Sequence, residues 1–269
     1  MASRTLPNPI LTLVERRSLI KTMVRRDLAA RYRGSAGGAL WAVLQPMAML
    51  GLYTFVFSAI LKVKFGVDGS TVAFAFYLFS GMIPWLAFSE ALGRSPNAML
   101  ENANLVKKVV FPLEILPVNL VVTGLMSGLV STAVLAVGLL LWRHALPWTI
   151  VLLPLLWVLQ YLFTQGLAWM LASVGVFMRD VGHMIGLLLT AWMFLTPIMY
   201  PASAVPEGFR WVLWANPMAA LVEGYRAIML EGVLPDAAGI GAFAAVAAVV
   251  FALGYMAFMR TKHAFADVL

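Results

Sequence analysis

The sequence has no cysteine and few charged residues, and each shortage excludes a class of protein. Without cysteine, the 269-residue chain has neither a disulfide framework nor a thiolate for catalysis or metal binding. Only 12% of its residues are charged, which is about half the fraction found in soluble domains. Hydrophobic residues make up 62% of the chain, more than a soluble core can bury. The composition therefore predicts an integral membrane protein.

Patterns for nucleotide binding, metal binding and catalysis are missing as well. No phosphate-binding loop of the form G-x-x-x-x-G-K-[ST] occurs, so we do not expect this chain to bind ATP in that way. His144, His183 and His263 lack the spacing of metal ligands. We expect no catalytic residue, no metal and no cofactor in this chain. If ATP drives transport, ATP and Mg bind to a separate ATPase subunit.

Six apolar stretches predict an all-α integral membrane protein with six transmembrane helices, because a span needs about 20 residues. The predicted spans are 39–61, 72–93, 109–142, 148–178, 182–200 and 238–259. We expect residues 1–38 to form a cytoplasmic N-terminal segment and residues 39–269 to form one membrane domain. With six spans and a cytoplasmic N-terminus, 14 of the 19 lysines and arginines fall on the cytoplasmic side, which predicts that both termini are cytoplasmic.

A basic amphipathic helix is predicted before the first span. Asn8 and Pro9 form a cap and first-turn pair. The apolar residues that follow recur at roughly helical spacing, with basic residues on the other side. The apolar set is Leu13, Val14, Ile20, Met23, Val24 and Leu28. Such a helix lies on the inner leaflet; the alternative is a basic tail that only sets the topology.

A short helix is also predicted between the second and third spans. Ser95 and Pro96 again form a cap and first-turn pair, and Lys107 and Lys108 follow, where positive charge complements the helix dipole. A capped helix is longer than a tight connection requires. We therefore expect it to contact a cytoplasmic partner.

The segment after the fifth span is too polar to cross the membrane and too apolar to be a free loop. Asn216 and Pro217 predict the start of a helix, and Gly232 predicts its end. A shorter helical piece is predicted after Pro206, carrying Trp211 and Trp214. We interpret the two as re-entrant half-helices between spans five and six, within about residues 201–235, which requires protein or a cavity to cover their backbone. An amphipathic hairpin on the outer surface is the alternative.

Two carboxylates fall inside the predicted spans, Glu90 and Glu114. Glu90 can pair with Arg94 at the i, i+4 spacing. This arrangement favours structural ion pairs over a proton relay, and it makes a proton-coupled secondary carrier the weaker hypothesis. Gly124 and Gly128 would allow close helix packing in span three.

Aromatic residues are concentrated in the first, second and fifth predicted spans. Most membrane aromatics pack or form interfacial belts. As a set, however, they suit the lining of a path for an amphipathic substrate, because sugar rings stack on aromatic faces without requiring charge.

Several motifs, in order along nearly the whole chain, resemble the permease subunits of ABC transporters that export polysaccharides such as O-antigens, capsules and teichoic acids. They are RYRGSAGGALWAVLQPM (31–47), KKVVFPLEILPV (107–118), RD (179–180), PIMYP (197–201), VPE (205–207), NPM (216–218) and YR (225–226). Each motif is weak alone, and the ordered set is more specific.

The resemblance implies a homodimer with two cytoplasmic ATPase subunits, in a bacterial inner membrane, that exports a lipid-linked polysaccharide. It implies that residues 10–33 and a coupling helix at about 95–107 touch the ATPase, with half-helices at about 206–214 and 217–231 as a periplasmic gate. The residues it assigns to ATPase coupling are Ser95, Pro96, Glu101, Asn102, Lys107 and Lys108. Those it assigns to the gate are Trp211, Trp214, Tyr225 and Arg226.

By the same resemblance, aromatic rings on spans one and five line the polymer channel, which maps to Tyr53, Phe57, Trp192 and Tyr200. Arg31 and Arg33 stand where a lipid-linked phosphate could enter. Other hypotheses remain: an ABC exporter of teichoic acid or a small lipid, a secondary carrier, or a membrane-embedded transferase. A transferase would be expected to show clustered catalytic acids or bases.

Overall fold

The computed structural model describes residues 9–31, 33–35, 37–60, 71–107 and 111–269. Every regular element within these ranges is helical, which confirms the all-helical class for the described part of the chain. The α-helices are α1 (Pro9–Glu15), α2 (Arg17–Arg31), α3 (Trp41–Thr54), α4 (Thr71–Arg94), α5 (Ala103–Val106), α6 (Ile115–Arg143), α7 (Leu153–Phe177), α8 (Val181–Leu195), α9 (Arg210–Ala215), α10 (Pro217–Arg226), α11 (Ala237–Thr261) and α12 (Phe265–Val268).

Four helical stretches among the described residues are long and apolar enough to cross a membrane. They are Val72–Asn97, Ile115–Arg143, Trp148–Phe177 and Ala237–Val268, and they correspond to the second, third, fourth and sixth predicted spans. The protein is therefore a multi-pass membrane protein.

The remaining two predicted spans are less complete. Helix α8 has 15 residues, or about 22 Å at 1.5 Å per residue, against a hydrocarbon core of about 30 Å. It ends at Leu195 because Thr196, which precedes Pro197, adopts an extended conformation. Helix α3 continues as a π-helix over Phe55–Ile60. The count of six spans stays a prediction.

Helix α4 lies at the centre of the bundle and packs on α3, α6, α7, α8 and α10. Phe79, Ile83 and Phe88 on this helix are fully buried. The helix continues through Pro84, whose carbonyl O accepts a hydrogen bond from Gln160 Nε2 on α7 at 2.9 Å. A movement of α4 would therefore affect most of the bundle.

Glycines allow the closest helix contacts. Helices α7 and α11 make the most extensive contact, and a Cβ on Gly254 would overlap the backbone of Gly166. Between α4 and α6, a Cβ on Gly124 would lie 2.7 Å from the carbonyl O of Ala87. The predicted Gly124 and Gly128 pair thus packs against a helix of the same chain, because Gly128 also faces Ala87.

The N-terminal segment is helical as predicted, in two helices, α1 and α2, that are separated by the turn residue Arg16. Helix α2 packs on α6, with Met23 and Val24 buried. Val14, placed on the apolar face by its spacing, lies before the turn and is 55% exposed. The cap Asn8 lies outside the described residues, and the location on a membrane surface stays a prediction.

Candidate functional site

The connection over residues 95–107, called the Ser95 segment below, is not the single capped helix predicted from the sequence. Ser95 continues the end of α4, and its Oγ donates a hydrogen bond to the carbonyl O of Ala91 at 2.7 Å. A 3₁₀ turn over Ser95–Asn97 follows, and the one-turn helix α5 comes later. Ser95 therefore does not cap a new helix, because its hydroxyl is bonded to the preceding turn of α4.

One face of the Ser95 segment is packed into the bundle against α7 and α8. A Cβ on Gly175 would overlap the backbone of Pro96, and a Cβ on Gly182 would lie 3.2 Å from Asn97 Oδ1. Ala98 and Met99 are also buried. A displacement of this segment would therefore displace its neighbours in α7 and α8.

The residues predicted to couple to an ATPase differ in exposure. Glu101 and Lys107 are exposed, whereas Asn102 is half-buried and its Nδ2 donates to the carbonyl O of Ala98 at 2.9 Å. Ser95 and Pro96 are buried, so neither offers its side chain to a partner in this arrangement. Lys108 lies outside the described residues. Their coupling role stays a prediction.

Asn97 and Asn104 are exposed on the same segment, and they were not predicted from the sequence. Helical periodicity could not identify them, because the segment is a series of turns. The turn-forming tendency of asparagine was the available signal.

Two ion pairs join α2 to the end of α4. Arg94 forms a bidentate ion pair with Asp27, with Nη1–Oδ2 and Nη2–Oδ1 distances of 3.0 and 3.3 Å. Arg31 pairs with Glu90, and its Nη1 donates to Ser127 Oγ at 3.1 Å. The predicted pairing of Glu90 with Arg94 is therefore wrong, because each of them finds its partner on α2.

Glu114 pairs with Lys262, with 3.5 Å between Oε2 and Nζ. Its backbone carbonyl accepts a hydrogen bond from Trp169 Nε1 at 3.1 Å. Both carboxylates that the sequence places inside spans are thus ion-paired, although the partner of Glu90 is Arg31 and not Arg94.

A cavity of about 1030 Å³ opens among α2, α3, α4 and α6. Its walls are mostly apolar, but Arg31, Glu90, Arg94 and Ser127 line one part of it. The cavity therefore combines an apolar wall with a charged end, which suits an amphipathic molecule. Arg33 is exposed and does not belong to this lining.

The helical segment that starts with α10 begins and ends where the sequence predicts. Asn216 Oδ1 accepts a hydrogen bond from the backbone N–H of Met218 at 3.1 Å, which caps the helix. A π-helical stretch over Ala227–Glu231 extends it to Gly232, whose φ of +70° ends it. The six apolar positions that define its predicted buried face are all buried: Met218, Leu221, Val222, Tyr225, Ile228 and Met229.

Side chains from the start of the fourth predicted span and the end of α6 bond the carbonyls at the end of this stretch. Thr149 Oγ1 donates to the carbonyl O of Ile228 at 2.7 Å, and Arg143 donates to that of Leu230. These bonds satisfy backbone groups that a helix end would otherwise leave open. They allow a non-spanning helix to pack within the bundle.

The four predicted gate residues separate into two environments. Trp211 and Trp214 on α9 are 66% and 90% exposed, whereas Tyr225 and Arg226 on α10 are 2% and 0% exposed. Helix α9 has no buried residue. The tryptophans therefore lie on the outside of the molecule, and Tyr225 and Arg226 belong to its core.

Arg226 is held by four groups. Its Nη1 donates to the carbonyl O of Pro197 at 2.5 Å and to Glu223 Oε1 at 2.7 Å, and its Nη2 donates to the carbonyl O of Ile198 at 2.7 Å. The guanidinium carbon lies 3.5 Å from the centre of the Tyr77 ring. Arg226 thus connects α10 to α4 and to the turn that follows α8.

The three predicted channel residues whose side chains the structure describes make different contacts. Trp192 packs its ring against Phe88, with 5.2 Å between ring centres, and its Nε1 donates to Asn216 Oδ1 at 2.8 Å. Tyr200 donates its hydroxyl to the carbonyl O of Phe194 at 2.9 Å, and Tyr53 is half-buried against the core. The side chain of Phe57 lies outside the described part of the structure. A channel lining by these residues stays a prediction.

The long apolar helices, the amphipathic cavity and the buried non-spanning helix define a multi-pass membrane protein with the general plan of a transporter subunit. The model of the family described as ABC-2 type transporter matches residues 18–230. The chain belongs to this family.

Its relatives include proteins named for polysaccharide transport. It is 35% identical over 257 residues to the O-antigen export system permease protein RfbA of Myxococcus xanthus, covering 95% of this chain and 96% of the relative. It is 28% identical over 254 residues to the protein of that name in Klebsiella pneumoniae, covering 93% and 95%. It is 24% identical over 250 residues to the polysialic acid transport protein KpsM of Escherichia coli, covering 91% and 93%.

Proposed function

We propose that the protein is the membrane-spanning subunit of an ATP-driven exporter that moves a lipid-linked polysaccharide, either an O-antigen or a capsular polysaccharide, across a bacterial inner membrane. The observation that carries the proposal is the near end-to-end similarity to a permease of an O-antigen export system, at 35% identity over 95% of the chain. The chain has no phosphate-binding loop, which agrees with ATP and Mg binding to a separate ATPase subunit.

The ATPase docks on the Ser95 segment and on α2, and both termini are cytoplasmic. Exposed Glu101 and Lys107 support this assignment, because they lie on a segment whose opposite face packs against α7 and α8. A force applied to this surface reaches the bundle directly. The ion pair of Asp27 with Arg94 joins α2 to the end of α4, directly before the Ser95 segment.

A second copy of the chain packs on the faces of α3 and α8. Helix α3 has no buried residue among its described side chains, and α8 has two. Large apolar side chains such as Met47 and Leu187 are 53% and 75% exposed. Tyr53 lies on α3, Phe57 on its π-helical continuation and Trp192 on α8, so pairing these helices in a homodimer would bring the predicted channel residues of both copies together around one path.

The outer gate consists of α9 and α10, and the polysaccharide leaves the channel beside them. Trp211 and Trp214 lie on the exposed helix α9, and an aromatic face can stack on a sugar ring or lie at the membrane interface. Helix α10 is anchored in the core. Exit would therefore require movement of α9 relative to α10, or of both relative to α8.

The lipid-linked phosphate enters at the charged end of the 1030 Å³ cavity. Arg31 lies in its wall and pairs with Glu90, so an anionic phosphate would have to compete with this carboxylate for the guanidinium. Arg33 is exposed nearby in the chain and can add to the positive field.

Export by the reconstituted complex tests the function. The chain is combined with its partner ATPase in vesicles that contain a lipid-linked polysaccharide, and the appearance of polymer on the far side is followed with a lectin. We expect transport that requires ATP and persists when ion gradients are collapsed. Transport that continues without ATP and stops when the gradient collapses would identify a secondary carrier instead.

The docking surface is tested with the same substitution at opposite ends of the molecule. Glu101→Arg reverses an exposed charge on the Ser95 segment, whereas Glu207→Arg reverses an exposed charge beside α9 that pairs with Arg210. We expect Glu101→Arg to reduce ATPase binding or its coupling to export and Glu207→Arg to leave ATPase binding unchanged. Wild-type coupling in the Glu101→Arg complex would contradict the docking assignment.

A further inference from the structure

Arg226 is a cation that is fully buried in a membrane protein. Its side chain is 1% exposed, whereas that of its partner Glu223 is 43% exposed. Charged side chains at membrane depth are costly, and they are usually associated with function. Arg226 is therefore a residue whose role requires an explanation beyond packing.

Stability alone explains this arrangement poorly. A buried ion pair is often no more stabilising than apolar side chains of the same volume. In addition, Arg226 Nε is buried and has no hydrogen-bond partner among the described residues. A side chain selected only to fill this space would not carry an unpaired polar atom.

What distinguishes Arg226 is the set of elements that it joins. Its guanidinium bonds the carbonyls of Pro197 and Ile198 in the turn after α8, and it lies on the ring of Tyr77 in α4. Space for the guanidinium exists because α4 has a glycine at the crossing, where a Cβ on Gly81 would lie 2.9 Å from Arg226 Nη2. One side chain thus fastens α10, the turn after α8 and α4 to each other.

The other end of α4 is fastened to α2. Glu90 and Arg94 make their ion pairs there, about 20 and 25 Å along the helix from Tyr77 at 1.5 Å per residue. The Ser95 segment follows directly. A single helix therefore connects the proposed ATPase-docking surface with the Arg226 contact.

We propose that Arg226 is a positioning residue that makes α10 and the Pro197–Ile198 turn move together with α4. Movement of the Ser95 segment is then transmitted through α4 to the half-helices α9 and α10. This inference rests on the proposed function, because it assigns the driving movement to an ATPase at the Ser95 end. Arg226 itself need not touch the polysaccharide.

The chain has no cysteine, so an introduced thiol is the only one in this chain, and its labelling in the full complex is read from the permease chain after it is separated from the ATPase. Ala220→Cys places it on α10 at a half-buried position that lines a cavity of about 580 Å³. The labelling rate with a maleimide is measured with and without ATP and vanadate, together with ATP hydrolysis and polymer export. We expect trapping of the nucleotide state to change the labelling rate several-fold in the otherwise wild-type complex.

Two pairs of variants separate the parts of the contact. Arg226→Met removes the charge and all donors, whereas Arg226→Lys keeps the charge and loses the planar fork. Tyr77→Leu removes the ring beneath the guanidinium, whereas Tyr77→Phe keeps it. We expect Arg226→Met and Tyr77→Leu to abolish the nucleotide-dependent change in labelling and to reduce export at least tenfold, while ATP hydrolysis continues. Arg226→Lys should retain part of the labelling change and part of the export, and Tyr77→Phe should retain most of each.

Arg260→Met is the matched control, since it removes an exposed arginine from α11 and should leave labelling and export unchanged. A preserved labelling response in Arg226→Met and Tyr77→Leu would overturn the inference, as would the lack of any response in the wild-type background. If Arg226→Met fails to assemble, the comparison of Tyr77→Leu with Tyr77→Phe decides by the same criteria. Failure of the wild-type complex to export with ATP would instead contradict the proposed function.

Discussion

Replacing Asn216 tests whether the hydrogen bonds at the start of α10 hold this helix to α8. Its Oδ1 accepts from Met218 N–H and Trp192 Nε1, and its Nδ2 donates to Thr196 Oγ1 at 2.9 Å and to the carbonyl O of Leu195 at 3.2 Å. A lost helix cap costs about 1 kcal/mol. Three hydrogen bonds between membrane helices add about 0.6 kcal/mol each. Asn216→Ala should therefore lower the free energy of unfolding by about 3 kcal/mol.

The assay is unfolding of the purified chain in detergent, analysed as a double-mutant cycle. Trp192→Phe keeps an aromatic ring against Phe88 but removes the N–H that Asn216 accepts. The two substitutions share one hydrogen bond, so the double variant should be less destabilised than the sum of the singles by about 0.6 kcal/mol or more.

Strict additivity of Asn216→Ala and Trp192→Phe would refute the reasoning, because it would mean that the two side chains do not interact. A loss below about 0.5 kcal/mol for Asn216→Ala, the usual range for uninvolved surface positions, would refute it as well. The cycle also bears on the predicted channel. If Trp192 contributes mainly through its N–H, Trp192→Phe should reduce export as much as Trp192→Ala does, whereas a stacking role is retained by phenylalanine.

Two further predictions concern the packing of other helices. Arg94→Ala should loosen α2, which is measured as faster proteolysis at Arg16, and the charge exchange of Asp27→Arg with Arg94→Asp should restore protection. Because the pair is partly exposed, its effect on the free energy of unfolding should stay below about 1 kcal/mol and decrease with salt. Equal proteolysis of the wild-type, Arg94→Ala and charge-exchanged chains would contradict the assignment. Gly254→Leu should prevent the α7–α11 contact and lower the yield of folded protein. Gly241→Leu, at an open position on the same helix, should be tolerated. Equal yields of the two variants would exclude close backbone packing at Gly254.

Local signals predicted α10 well because the forces that define its ends are local. The cap at Asn216, the proline after it and the left-handed Gly232 act within a few residues of the helix ends. Ser95 and Pro96 present the same kind of pattern, yet the prediction failed there. The hydroxyl of Ser95 had a competing acceptor at Ala91, one turn earlier, and the sequence alone does not rank the two outcomes.

Residue spacing along the sequence did not predict the contacts between distant parts of the chain. Glu90 was expected to pair with Arg94 because spacing along one helix identifies only partners on that same helix, such as an i, i+4 neighbour. The structure instead brings α2 across both residues. The burial of Arg226 was missed for a related reason, since arginine is almost never fully buried unless paired, and its partners include backbone carbonyls 28 and 29 residues away.

If the ATPase docks on the Ser95 segment as proposed, the buried residues of this segment maintain the fold and its exposed residues contact the partner. Substitutions at the buried Pro96 or Met99 would disturb the bundle, whereas those at the exposed Glu101 or Asn104 would change unfolding little. The exposed set is therefore free to diverge in step with a partner without loss of the fold. Exchanging only these side chains between related permeases should redirect which partner each one accepts, and this makes the segment a natural point for building chimaeric transporters.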